Sequence, residues 1–260
     1  AIPDDLYLDR HGLRDKVKAI LVSHAHLDHV GALPYLEYRY DCEIASTPFT
    51  LEILDTLLKD NNMALKNRIR TVTPNSSFKI KGEKEHTVEF VNITHSTLQT
   101  SLIAVHTPRG IVVYANDFKL DNNPIVGKGP NYDILKELRK KGVLALIIDS
   151  VYSTQEGKTP SEKIARNLLE DVMLTPENKN SCIIVTTFST HIARLKSIVD
   201  FAKQLNRKVI FMGRSLKKYL GAAIKLHLVP FSQDIKIASY RNEIERALKE
   251  ISRNREKYVL

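Results

Sequence analysis

The feature that most narrows what this chain can become is a seven-residue run, Ser23-His24-Ala25-His26-Leu27-Asp28-His29, which packs three imidazoles and a carboxylate into six consecutive positions. Before it, Lys18 to Val22 reads as a short buried strand, and after it Gly31-Ala32-Leu33-Pro34-Tyr35-Leu36 opens a helix. The cluster therefore occupies a strand-to-helix turn. Alternate residues of an extended segment point the same way, so His24 and His26 can grip one cation. Asp28 and His29, just past the turn, are then free to face a second cation roughly 3.5 to 4 Å from the first. Imidazole nitrogen and carboxylate oxygen are good donors to zinc or manganese. Three histidines could also cap a helix or lie on a surface, but neither role calls for this set of residues at this spacing.

Two cations need more ligands than one turn supplies, and these must come from strand ends that return to the same edge. Thr87 to Ile93, Ser101 to His106 and Ile111 to Tyr114 are β-branched runs of strand type, the last two joined by the hairpin turn Thr107-Pro108-Arg109-Gly110. His95 follows the first of these runs and Asp117 follows the last, so both qualify. Taken singly, each reads equally well as a capping or hydrogen-bonded residue; the histidine turn is what recruits them. Leu51 to Leu58 carries apolar residues at helical spacing.

Beyond Val143 the pattern changes. Leu144 to Ile148, Cys182 to Val185 and Lys208 to Met212 are apolar runs, the last two leading into helical sequence, and strand-then-helix repetition implies a parallel sheet. The polar stretch Thr154 to Ser161 marks a boundary, giving domains 1–155 and 156–260. Near the end, Ile244, Ala247, Leu248 and Ile251 share one face of a helix, and Tyr258-Val259-Leu260 resembles the start of a strand.

Composition bears on partners and compartment. The 260 residues hold 39 Lys+Arg against 30 Asp+Glu, a net charge of +9 that draws a protein towards polyanions such as nucleic acid, although a solvated basic surface fits the same number. No run approaches the roughly 18 to 20 apolar residues that cross a bilayer, and Ala1-Ile2-Pro3-Asp4-Asp5 lacks the basic-then-apolar start of a signal segment. Cys42 and Cys182 are too few for a disulfide framework. The expectation is a cytoplasmic protein with no membrane partner.

The His24 to His29 cluster, His95-Ser96 and Asp117-Phe118-Lys119 resemble successive motifs of the metallo-β-lactamase superfamily. Gly31 to Leu36, Asn116 to Asp121, Ile148-Asp149-Ser150 and Thr186-Thr187-Phe188-Ser189-Thr190 narrow the resemblance to the β-CASP ribonucleases, above all the ribonuclease J family with its archaeal members. The similarity runs over almost the whole chain. It implies an α/β fold: a metallo-β-lactamase αββα sandwich, incomplete at its N-terminus, followed by a partial β-CASP domain with a parallel sheet. It also implies that His24, His26 and His95 hold one zinc ion, Asp28 and His29 the other, and that Asp117 bridges them, with manganese as the alternative metal. Asp28 and Asp149 are the candidate catalytic carboxylates; Asp149 would orient a later histidine, or else simply cap the Ser150 turn.

The implied reaction is hydrolysis of RNA phosphodiester bonds on a substrate with a 5′-monophosphate end, 5′-to-3′ exonucleolytic, endonucleolytic or both, with a homodimer open as the assembly. Thr186 to Thr190 and Gly213-Arg214-Ser215 each follow a strand and open a helix, so Ser189, Thr190, Arg214 and Ser215 are candidate phosphate contacts, ordinary helix capping being the alternative. Phe188 reads as a core residue, with stacking on a base as the alternative, and His191 as packed or exposed, with an RNA contact as the alternative. Where the family shows Pro-Asp-Ser, this chain has Thr97-Leu98-Gln99-Thr100-Ser101, and Asn116 stands in place of Gly. The resemblance further implies strands before Ala1, and after Leu260 a further metal ligand and a general acid. His227 matches neither, so the chain reads as a fragment with a weakly held second ion and impaired activity by itself. Two other readings stay open: a two-zinc hydrolase of a thioester or lactam, and a nucleic-acid-binding module with a non-catalytic metal site.

Overall fold

The run Leu102 to Val105 is apolar at every position, which leaves its strand with two apolar faces to cover, and a layered arrangement meets that demand. The structure, a computed structural model, describes residues 4–260. It divides into two units, one made of the chain up to Leu120 plus Lys128–Lys158, the other of Asp121–Gly127 plus Thr159–Leu260.

In chain order the first unit contains α1 (Leu6–Arg10), β1 (Ala19–Leu21), α2 (Leu27–Val30), α3 (Leu33–Leu36), β2 (Glu43–Ser46), α4 (Pro48–Asp60) and β3 (Ile69–Thr71). There follow β4 (Ser76–Lys81), β5 (Glu85–Asn92), β6 (Ser101–Thr107), β7 (Gly110–Ala115), α5 (Tyr132–Lys141) and β8 (Val143–Ile148). β1, β2 and β3 form a parallel three-stranded sheet, and β4 to β8 a five-stranded sheet in sequence order. The larger sheet is antiparallel except for β8, which runs parallel to β7. Between the sheets lies one apolar layer: Ala45 and Leu21 from the smaller sheet meet Val88, Phe90 and Ile103 from the larger. The opposite face of the larger sheet offers Val91, Leu102, Ala104 and Val113 to Leu138, Ile134 and Leu135 of α5. Residues that alternate along β5 and β6 thus serve two cores, which is why these strands are apolar on both faces. On α4, Phe49, Ile53, Leu54 and Leu58 recur at helical spacing and are buried.

β8 departs from the buried parallel strand that its composition suggests. It lies at the edge of the sheet, and Leu144, Leu146, Ile147 and Ile148 are all more than half exposed. Among the described residues no helix is long and apolar enough to cross a membrane.

The second unit contains α6 (Glu162–Met173), α7 (Ile192–Gln204), β9 (Lys208–Met212), α8 (Arg214–Lys225), β10 (Ile235–Ala238), α9 (Arg241–Arg253) and β11 (Tyr258–Val259). Its sheet has the order β10-β9-β11, all parallel. Ala247 and Ile251 of α9 pack with Ile210, Ala238 and Tyr258. Leu248, expected on the same apolar face, is 46% exposed. Cys182–Val185, read from sequence as a strand, runs parallel to Tyr258–Leu260: Ile183 pairs with Val259, the Ile183 amide donates to the Tyr258 carbonyl at 3.3 Å, the Leu260 amide to the Ile183 carbonyl at 2.9 Å and the Val185 amide to the Leu260 carbonyl at 2.8 Å. The break between units after Lys158 falls inside the polar Thr154–Ser161 stretch. That Asp121–Gly127 joins the second unit was not foreseen, and the cause is a cap: buried Asp121 accepts hydrogen bonds from the Ser161 hydroxyl and the Glu162 amide, both at 2.7 Å, at the start of α6.

Phe90 is wholly buried at the centre of the layer between the sheets. Phe90→Ala is expected to lower unfolding stability by about 3 to 5 kcal/mol in urea denaturation; a loss below about 1 kcal/mol would mean that this layer is not a close-packed core.

Candidate metal centre

Three backbone connections decide where the ligand-type side chains meet. Past β1, the Val22 amide donates to the Ala45 carbonyl at 3.0 Å and the Val22 carbonyl accepts from the Ser46 hydroxyl at 2.7 Å, which extends the strand direction up to the histidine turn. The Ser101 amide, first in β6, donates to the Ser23 carbonyl at 3.1 Å and joins that turn to the larger sheet. An antiparallel bridge pairs Thr94 with Lys119, the Lys119 amide donating to the Thr94 carbonyl at 2.7 Å. His95 and Asp117 each lie within two residues of that bridge. The turn itself closes on the His26 carbonyl, which accepts from the amides of His29 and Val30 at 3.0 and 2.9 Å and starts α2.

The side chains converge accordingly. His24, His26, His95 and Asp117 offer ligand atoms that all lie within 4.8 Å of one another, and so do Asp28, His29 and Asp117. Asp117 belongs to both groups. His26 Nδ1 sits 3.1 Å from His24 Nε2 and 3.1 Å from His95 Nε2. One Asp117 oxygen, Oδ2, lies 3.6, 3.5 and 3.7 Å from the Nε2 atoms of His24, His29 and His95. Asp28 Oδ2 is 3.4 Å from His29 Nε2. Donor atoms separated by 3.1 to 3.7 Å are spaced as ligands about 2.0 to 2.2 Å from a shared cation would be.

Protonation favours the same use. Burial first, then the neighbouring imidazoles of His29, His95 and His26, push the His24 pKa down to about 2. Burial also lowers His26, although the carboxylates of Asp28 and Asp117 oppose it. Both rings are therefore neutral near pH 7, the form that binds metal. The two groups differ in exposure: the His24 side chain is inaccessible, whereas that of Asp28 is 76% exposed. Tyr114, on β7 beside Asp117 and Asp28, has its phenol pKa raised by burial and then by those two charges.

Sequence reading singled out all six of these side chains but gave no role to three neighbours. The Ser23 hydroxyl lies 2.9 Å from His24 Nδ1, and the Ser96 hydroxyl 3.0 Å from His26 Nε2. Asn116 Nδ2 lies 3.4 Å from both ring nitrogens of His29. The Ser96 hydroxyl was legible as part of a His-Ser pair, whereas the other two contacts depend on rotamers. The unusual Thr97-to-Ser101 segment is firmly held: the Thr97 and Thr100 hydroxyls are 3.0 Å apart, and Gln99, at φ +56°, accepts the Phe49 amide at 2.9 Å near the start of α4.

Asp149 stands apart from both ligand groups; its carboxylate accepts the Val151 amide at 3.0 Å and so caps the turn after β8. In the second unit, the segments ending at Val185 and Met212 run parallel to β11, so Thr186–Thr190 and Gly213–Ser215 leave the same end of the sheet. Arg214 and Ser215 are exposed and begin α8 behind Gly213, which has φ +135°. Ser189 and Thr190 precede the helix rather than open it, since α7 starts at Ile192 with His191 as its cap residue. His191 Nε2 lies 3.3 Å from buried Glu162, which also binds Arg194 at 2.6 Å. Phe188, expected in the core, is 82% exposed: it lies three residues past Val185, where the pairing with Tyr258–Leu260 stops.

Comparisons with known proteins bear on the whole chain. The family model described as Metallo-beta-lactamase superfamily matches residues 3–166, and that described as Ribonuclease J, beta-CASP domain matches residues 180–250. Proteins named Ribonuclease J from Methanocaldococcus jannaschii and Pyrococcus abyssi are each 41% identical over the full chain. The chain spans 57% and 56% of their lengths. The Ribonuclease J of Synechocystis sp. is 33% identical over 86% of the chain, which covers 34% of that protein. A crystal structure of a protein of unknown function from Enterococcus faecalis shares the fold, with a TM-score of 0.55 over 93% of this chain and 68% of the other, at 17% identity. The turn of histidines, the shared aspartate and the matched segments on either side of Lys158 lead to one assignment: the chain belongs to the metallo-β-lactamase superfamily, and its second unit carries a segment of the ribonuclease J β-CASP type.

Proposed function

We propose that this chain carries the metal centre of a ribonuclease that hydrolyses RNA phosphodiester bonds with two divalent cations, zinc in the first place and manganese as the alternative. The observation that supports it above others is the convergence of six side chains into two ligand groups that share Asp117. His24, His26 and His95 would hold one ion, Asp28 and His29 the other, and Asp117 both. Two such ions supply an activated water and neutralise the charge that builds on a phosphate during in-line attack.

The chain's own residues supply the rest. His24, buried, and His26, half-buried, are neutral near pH 7 without any ion, so neither has a proton to lose on binding. Asp28, open to solvent, lies where a substrate can approach. Asp149 acts through the turn that it caps, as a positioning group. At the C-terminal end of the second sheet, Ser189, Thr190, Arg214 and Ser215 offer hydroxyls, a guanidinium and the α8 N-terminus to phosphates, and a 5′-monophosphate is the end group that suits them. The exposed Phe188 ring is suited to stacking on a base. A net charge of +9 and the β-CASP match favour RNA over a thioester or lactam. Exonucleolytic attack from the 5′ end and internal cleavage are both within reach of such a site.

Three outcomes test this. Titrating EDTA-stripped protein with zinc is expected to give two classes of site, since one group has four donors and the other three with one of them exposed. Asp28→Ala should lose only the weaker class and Asp117→Ala should weaken both; a single class unaffected by either change overturns the two-cation reading. With zinc or manganese, the protein should cleave 5′-monophosphorylated RNA and the double variant Asp28→Ala, His29→Ala should not. The Methanocaldococcus jannaschii relative can serve as assay control; because the chain spans 57% of it, cleavage slower than the control's is expected, and RNA left wholly intact by the unaltered protein removes the nuclease assignment.

Stability without metal should also follow pH. The His24 pKa is 6.5 in an unfolded chain and about 2 when folded, so the unfolded state binds the extra proton between these values. Its contribution is intact above pH 6.5 and is lost as the pH falls below that value. The Tm in EDTA is expected to drop between pH 7 and pH 5 more steeply for the unaltered protein than for His24→Gln; equal slopes would show that His24 is not held neutral.

A further inference from the structure

We propose that Ser23 and Ser96 are positioning residues of the metal centre, whose hydroxyls hold the rings of His24 and His26 with their inward nitrogens towards the site and accept the outward N–H of each when those inward nitrogens bind a cation. The inference rests on the two-cation reading above and deepens it.

A neutral imidazole carries one N–H, and the nitrogen without it is the one that can bind a metal. The two rings use different atoms: His24 turns Nε2 inward and His26 turns Nδ1 inward, 3.1 Å apart. Opposite tautomers are therefore required from two residues on one turn. On the far side of each ring stands a serine: Ser23 Oγ at 2.9 Å from His24 Nδ1, and Ser96 Oγ at 3.0 Å from His26 Nε2. If each outward N–H donates to its hydroxyl, the inward lone pairs face one another and His95 Nε2, which is repulsive until a cation lies among them. If the outward nitrogens were the bare ones, inward N–H groups would block the site. A hydroxyl can donate or accept, so the cation makes the choice; beside each outward nitrogen it supplies the acceptor that the open form needs.

Both serines are fixed through the backbone. The Ser23 carbonyl accepts the Ser101 amide at 3.1 Å, and Ser23 itself is buried. Ser96 is two residues past Thr94, which bridges Lys119. Neither hydroxyl needs to search for its histidine, so the acceptor for the open form is in place before loading.

Cobalt(II) titration of metal-free protein, followed by visible absorption, is the test. Ser96→Ala and Ser23→Ala are each expected to weaken the tighter site about 10- to 100-fold. Ser96→Thr, which keeps the hydroxyl, should restore the affinity. Long-range imidazole ¹⁵N NMR on the zinc-loaded protein should show Nδ1–H at His24 and Nε2–H at His26, with faster solvent exchange of that N–H at the ring that has lost its serine. A role limited to stability would lower the metal-free Tm and leave affinity and N–H exchange unchanged, and that result overturns the proposal. If the unaltered protein binds no cobalt, the two-cation reading itself fails; if it binds cobalt and the alanine variants bind it equally well, only the serine assignment fails.

Discussion

The structure depends on backbone bonds that draw three distant stretches of chain to one sheet end. The Ser101 amide on the Ser23 carbonyl and the Thr94–Lys119 bridge span separations of 78 and 25 residues, and no ligand group would assemble without them. Each is an ordinary backbone hydrogen bond, worth about 0.5 to 1.5 kcal/mol in stability. Their importance is geometric. They are set by β5, β6 and β7, whose register is held in turn by the apolar layers on both faces of the larger sheet.

That dependence explains what could be read from residues alone. The histidine turn was legible because its chemistry is local: four ligands in six positions have few other uses. His95 and Asp117 were legible because strand patterning placed them at neighbouring strand tips, and the superfamily resemblance added the pairing. The β-branched runs that became β5, β6 and β7 were visible to within two residues at their ends. The missed features depend on neighbours in space. Cys182–Val185 pairs as its strand composition suggests, but the pairing stops at Val185, and Phe188, beyond it, is exposed rather than packed. The hydroxyls of Ser23 and Ser96 matter only through rotamers that place them beside rings of a particular orientation, and spacing carries no such information.

Within the first unit the two ligand groups sit in contrasting surroundings. Around His24, desolvation keeps imidazole neutral and the donors tightly grouped, whereas Asp28 remains hydrated. A shared carboxylate joins a dry, fixed half to a wet, accessible one. On the proposed two-cation ribonuclease reading, this asymmetry suits a centre that must hold a cation firmly and still admit a large, charged polymer. The same contrast marks the second unit, where buried Glu162 binds Arg194 beside a loop whose Ser189 and Thr190 precede the helix unencumbered by capping duties.

The Asp121 cap has a consequence for how the molecule can be taken apart. Because Asp121–Gly127 belongs with Thr159–Leu260, the polypeptide changes units three times rather than once. No single cut yields two intact pieces: a clone beginning at the polar linker leaves behind the carboxylate that holds the α6 amide, and one ending there carries seven orphaned residues. The units are interleaved in the gene although separate in their cores, so mutational or evolutionary exchange of one without the other has to respect a seam that primary structure does not display.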